Sequence, residues 1–157
     1  MSYTLSGVEG LVGTPGNDTI TGSPGVDLLF GAGGDDVLDG AGGFDYAGFL
    51  VAAVNANLAT GRATGEGSDV LTNIGGLLAS YSPSTLTGNA GPNVLLGAGG
   101  NDTLHGGAGD DLLGGGPGPT PCSATAVTTG CWVRAATTVS PAAPATTPLP
   151  TTPPPRG

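Results

Sequence analysis

The chain has 157 residues, enough for one domain, but 32 are Gly, 10% are charged and only 4% are aromatic, which excludes a conventional core of large side chains. All twelve acidic residues, Glu9, Glu66 and ten Asp, lie before residue 112 and face one basic residue there, Arg62; that field repels nucleic acid and phosphate ligands and attracts cations. No run of 18 apolar residues is present, so no membrane span is expected, and the opening stretch MSYTLSGVEGL has neither the basic nor the apolar region of a cleavable secretory signal.

Residues 1–12 are expected to form an N-terminal capping strand, in which Gly7, Glu9 and Leu11 stand in the phase of Gly16, Asp18 and Ile20. Residues 13–47 are a first repeat block of nine-residue units, each Gly-x-x-Gly-x-Asp-x-Leu-x: Gly13/Gly16/Asp18/Ile20, Gly22/Gly25/Asp27/Leu29 and Gly31/Gly34/Asp36/Leu38. Gly40/Gly43/Asp45 begins a fourth unit, with Ala47 at the Leu position. The first six residues of a unit predict a turn, where Gly tolerates backbone that other residues do not. The last three predict a short strand whose alternation sends Ile20, Leu29 and Leu38 to one inner row.

Residues 48–78 break the period. VAAVNANLATGRATG reads as strand, turn and more strand; SDVLTNIGGLLASY then returns Asp69 and Leu71 in repeat-like spacing, followed by Ile74, Leu77 and Leu78. This irregular β-solenoid interruption is expected to form bulkier coils of the same solenoid, with a small separate β-module as the alternative. Residues 79–118 are the second block. Ser84 replaces the Asp of its first unit; the others are Gly88/Gly91/Asn93/Leu95, Gly97/Gly100/Asp102/Leu104 and Gly106/Gly109/Asp111/Leu113.

Residues 119–157 contain no Asp, Glu or Lys and end in TTPLPTTPPPRG, a Pro/Thr-rich tail expected to be disordered. The tail keeps the nine-residue step with other residues: Asp110–Asp111 is echoed by Thr128–Thr129, Thr137–Thr138 and Thr146–Thr147, and Cys122 and Cys131 follow Leu113 at nine and eighteen residues. Codons GAC-GAC for Asp-Asp give Thr-Thr when read one base late, and CTG before T gives Cys. TPCSATAVTT, Thr120–Thr129, back-translates in the preceding frame to Asp-Thr-Leu-Phe-Gly-Asp-Gly-Gly-Asp-Asp. The tail thus reads as frameshifted repeats, against the alternative of a real linker with a Cys122–Cys131 disulfide.

Six in-phase units with both the acidic or amide residue and the aliphatic residue kept resemble the RTX (repeats-in-toxin, haemolysin-type) calcium-binding nonapeptide family over residues 13–118. The resemblance implies an all-β fold, a parallel β-roll or right-handed β-solenoid, with two units per coil and metal between turns eighteen residues apart. Carried over, this pairs Asp18 with Asp36, Asp27 with Asp45, and Asn93 with Asp111; Asp102 is left with Ser84 before it. The expected metal residues are therefore Asp18, Asp27, Asp36, Asp45, Asn93, Asp102 and Asp111. Asp35, Asp39 and Asp110, off the sixth position, read as solvated charge.

The residues support Ca²⁺ independently of the resemblance. A unit that buries one Leu cannot offset the ordering of nine residues, so something must bind the folded state. Ca²⁺ takes six to eight hard oxygens from carboxylates and backbone carbonyls, whereas Mg²⁺ demands a small octahedron. An Asp in a single turn is ordinarily a turn former; Asp or Asn at the sixth position of seven units in one phase, beside exposed Gly backbone, points to metal. His105, the one histidine, reads as an outward strand residue, and no motif for catalysis or phosphate binding is present. The expected role is a calcium-binding, calcium-folded module and not an enzyme. The partners are calcium ions, with no nucleic acid and no membrane span, and the sequence identifies no protein partner. By family resemblance the location is extracellular, through type I secretion. The alternative is a fragment of a larger RTX enzyme or adhesin.

Overall fold

The computed structural model describes residues 1–4, 6 and 10–117, together with the strand backbone of 122–123 and 130–134. Among the described residues there is no helix. One nine-stranded sheet runs, in spatial order, β1 (Ser2–Thr4), β3 (Thr19–Thr21), β5 (Val37–Asp39), β9 (Ser68–Thr72), β8 (Arg62–Thr64), β7 (Asn55–Asn57), β11 (Thr85–Thr87), β13 (Thr103–His105) and β15 (Cys122–Ser123). A seven-stranded sheet runs β2 (Gly10–Val12), β4 (Leu28–Phe30), β6 (Asp45–Gly48), β10 (Ile74–Leu78), β12 (Val94–Leu96), β14 (Leu112–Pro117) and β16 (Gly130–Arg134).

Successive units alternate between the sheets, so two nonapeptides make one coil. The parallel register steps by eighteen residues: Ile20 beside Leu38, Leu29 beside Ala47, Leu86 beside Leu104, and Leu95 beside Leu113. Each repeat strand is three or so residues long because only its middle residue is buried. Ile20, Leu29, Leu38, Ala47, Leu86, Leu95, Leu104 and Leu113 form the inner rows between the sheets, all at most 1% exposed. These are parallel sheets without crossover helices; the inward turn of each unit does the work of the crossover. The N-terminal segment contributes a strand to each sheet, Tyr3 beside Ile20 and Leu11 beside Leu29.

The interruption belongs to the same two sheets rather than to a separate module. Its chain does not stay parallel, however. Residues 58–61 turn back on themselves, with Gly61 at φ +65°, and β8 pairs antiparallel with both β7 and β9. So short a connection can join only antiparallel neighbours. The detour lets β9 rejoin β5 with Leu38 beside Leu71, thirty-three residues on instead of eighteen. Phe49, Val54, Ala56, Ala63, Leu71, Ile74 and Leu77 add their side chains to the common core.

Within the stretch expected to be disordered, β15 and β16 continue the eighteen-residue register, Leu104 beside Cys122 and Leu113 beside Cys131. The solenoid therefore runs on past the second block. The remainder of residues 119–157, and with it the expected disorder and the frameshift reading, lies outside the described residues.

Candidate metal centre

Stacking coils in register stacks their turns, and this brings the expected pairs together. The Oδ1 atom of Asp36 accepts the backbone N–H of Asp18 at 2.8 Å, and that of Asp45 the N–H of Asp27 at 2.8 Å. Asp111 Oδ1 accepts from Asn93 at 3.0 Å, and Asp102 Oδ1 from Ser84 at 2.9 Å. All seven sixth-position residues are buried, between 0% and 4% exposed. A buried carboxylate with one oxygen on an amide still has a second oxygen to satisfy.

The first Gly of each unit allows that second oxygen to sit where it does. A Cβ on Gly31, Gly40, Gly97 or Gly106 would collide with Oδ2 of Asp36, Asp45, Asp102 or Asp111. The carboxylate lies over bare backbone, so Gly is required there by close approach and not by its φ. In these four residues Oδ2 is buried and has no hydrogen-bond partner. Burial without compensation raises the carboxyl pKa of Asp36, Asp45 and Asp102 above the usual range, against the opposing pull of the backbone N–H on each. Asp18 goes the other way: the Met1 ammonium at 2.6 Å and the Thr14 amide at 2.6 Å hold it at about 2.

Sequence reasoning left Asp69 out of the expected metal residues. It is 3% exposed, and its Oδ1 accepts the N–H of Asp36 at 3.1 Å, so it continues the column that runs through Asp18 and Asp36. Burial, the largest effect, together with the nearby acids Asp36, Glu66 and Asp35, pushes its pKa up to about 6. The signal was present as Gly67-x-Asp69-x-Leu71, but the thirty-three-residue step hid its partner. Glu66, by contrast, is a loop clamp: its Oε1 accepts the amides of Leu50, Val51 and Ala52 at 2.8, 2.6 and 3.1 Å. Asp35 and Asp110 are exposed and Asp39 is half-buried. Asp35 and Asp39 serve neighbouring turns, Asp35 accepting from the Ser68 amide and Asp39 from the Ala41 amide and the Asn73 side chain. His105 is exposed on β13.

No group of three or more His, Cys, Asp or Glu side chains converges among the described residues. A cation held in these turns must draw most of its ligands from backbone carbonyls. That donor set is all hard oxygen with one or two carboxylates, and it suits Ca²⁺ while offering nothing to zinc or copper. The residues present fit a calcium ion.

Residues 12–47 and 85–119 match the RTX calcium-binding nonapeptide repeat, in four copies. Both blocks are RTX repeats. The two matched ranges are the parts of the chain in which the orphaned carboxylates occur, and repeats of this family bind Ca²⁺. The RTX match is to a calcium-binding repeat and not to an enzyme family. No curated protein matches the chain. Among the described residues no helix is long and apolar enough to cross a membrane.

Proposed function

We infer that the RTX blocks are a calcium-loaded scaffold whose coils close when ions enter the stacked turns. The observation that carries this reading is the set of four buried carboxylate oxygens, Oδ2 of Asp36, Asp45, Asp102 and Asp111, each lacking a donor. A buried anionic oxygen without a partner is costly, and a divalent cation between turns offsets that cost in the folded state only. Asp18, Asp27 and Asn93 stand in the same columns and are the other sixth-position residues on which the ions depend directly or through the turn. The blocks divide as 13–47 and 79–118 around the interruption at 48–78, with 1–12 as cap.

The module's place is outside the cell, where calcium modules work at roughly 10⁻⁴–10⁻³ M. At low intracellular calcium the acidic turns repel and the chain stays open, which suits passage through a type I exporter before folding. Its role is ion binding and ion-driven folding rather than catalysis.

Far-UV circular dichroism during titration tests the reading. Millimolar Ca²⁺ orders the chain, and the same concentration of Mg²⁺ does not. Equal ordering by both ions would mean that simple charge screening suffices.

A further inference from the structure

The stacked turns are not alike. Each block places a first-coil turn over a second-coil turn in both columns, giving the pairs 13–18 with 31–36, 22–27 with 40–45, 79–84 with 97–102, and 88–93 with 106–111. In three first-coil turns the second residue closes the turn. The amides of Thr14, Ser23 and Asn89 donate to the second side-chain oxygen of Asp18 and Asp27 and to Oδ1 of Asn93, at 2.6, 2.6 and 2.7 Å. The hydroxyls of Thr14 and Ser23 add bonds to the same oxygens at 2.8 and 3.0 Å. In the fourth, the sixth residue is Ser84, whose hydroxyl donates to the Ser82 carbonyl at 2.9 Å.

In the second-coil turns the second residue is Ala32, Ala41, Ala98 or Gly107, and all four have positive φ, between 61° and 91°. The fourth residue, Gly34, Gly43, Gly100 or Gly109, is also at positive φ. This backbone turns the second amide away from the carboxylate; that of Ala41 goes to Asp39 Oδ1 instead. The unpartnered buried oxygens belong to these four turns. The side-chain chemistry divides in step. First-coil sixth positions are Asp18, Asp27, Ser84 and Asn93, two of them neutral, whereas second-coil sixth positions are all Asp. A turn closed by its own amide needs only an acceptor, which Asn93 supplies, while Ser84 closes its turn as a donor to the Ser82 carbonyl. A turn that leaves an oxygen bare keeps the full carboxylate.

We propose that calcium loads the repeats through the second-coil turns alone, one ion for each of Asp36, Asp45, Asp102 and Asp111, while the first-coil turns are closed by their own backbone and carry no carboxylate ligand. This rests on the calcium reading above and removes Asp18, Asp27 and Asn93 from the ligand set. Only half of the family-type turns then count toward ion stoichiometry. The first coil of each block then stacks on its neighbour without a carboxylate-bound metal of its own.

Calorimetric titration of the full chain with Ca²⁺ separates the possibilities, using wild type, Asp45→Asn and Asp27→Asn. Asp45→Asn binds one ion fewer than wild type. Asp27→Asn binds as many as wild type, since it keeps an acceptor for the Ser23 amide. Loss of an ion in Asp27→Asn overturns the partition while leaving calcium binding intact. No binding to wild type overturns both. Circular dichroism at saturating Ca²⁺ checks that each variant orders; if Asp45→Asn does not, Asp27→Asn still decides the matter.

Discussion

The repeat blocks and the interruption build the same two sheets by different means. A repeat coil buries one aliphatic side chain per nine residues and stacks carboxylates at its turns. Residues 48–78 bury Phe49, Val54, Ala56, Ala63, Leu71, Ile74 and Leu77; the carboxylate of Glu66 is satisfied by three amides, and Asp69 alone continues a carboxylate column there. The interruption therefore stands on apolar burial, while the blocks on either side depend on what enters their turns. Solenoid coils couple mainly to their neighbours, so an internal segment of ordinary core can hold the middle of the roll while its flanks respond to calcium.

The largest effect that would sharpen this comparison is calcium removal. A ligand at 100 times its dissociation constant stabilises the folded state by about 2.7 kcal/mol per site, and several sites act in the repeats. Hydrogen exchange after chelation should show the amides of β3, β5, β12 and β14 losing protection well before those of β9 and β10. Uniform loss along the chain would mean that the interruption has no independent hold.

Next in size is the core. Leu77 is fully buried in β10, and Leu77→Ala should cost about 2–5 kcal/mol, nearly the same with calcium as without. A cost that appears only in calcium would place Leu77 under the control of the repeats.

Glycine substitution gives a smaller and more local test. At Gly40 a Cβ would strike Asp45 Oδ2 and the Asn73 carbonyl, whereas at Gly42 the nearest atom is 3.8 Å away. Gly40→Ala should destabilise by about 1–3 kcal/mol, as overpacking does, and raise the calcium midpoint; Gly42→Ala should change neither by much. Thermal unfolding with and without calcium reads both.

The smallest effects concern charge. Burial raises the carboxyl pKa of Asp36, Asp45 and Asp102, and Asp69 stands at about 6. A carboxyl whose folded pKa lies above its unfolded value binds more protons when folded, so stability falls as pH rises through that window. The calcium-free chain should gain order as pH drops from 7 toward 4, and saturating calcium should flatten or reverse the trend. Asp39→Asn, which keeps an acceptor for Ala41 and Asn73 while removing one charge, should shift the calcium midpoint by only the few tenths of a kcal/mol of a surface group. Asp36→Asn should shift it clearly. Equal shifts would make overall acidity, and not the position of each carboxylate, the relevant quantity.

The sequence alone determined the repeating unit, the two-block arrangement and the inner row. Those follow from local rules: Gly at turns, an aliphatic residue at the centre of a three-residue strand, and a nine-residue phase that every copy states again. The columns that join Asp18 to Asp36 and Asn93 to Asp111 were legible because the resemblance supplied the eighteen-residue coil. Asp69 was not placed, because its neighbour lies thirty-three residues back and only the β7–β8 hairpin makes up the difference. Nor could the pattern of residues separate Asp27 from Asp45, since both occupy the sixth position of a Gly-rich unit. The tertiary structure decided that, through whether the second residue of the turn aims its amide at the carboxylate or away from it. That difference is a matter of backbone φ and stacking between coils, and a one-dimensional motif carries neither.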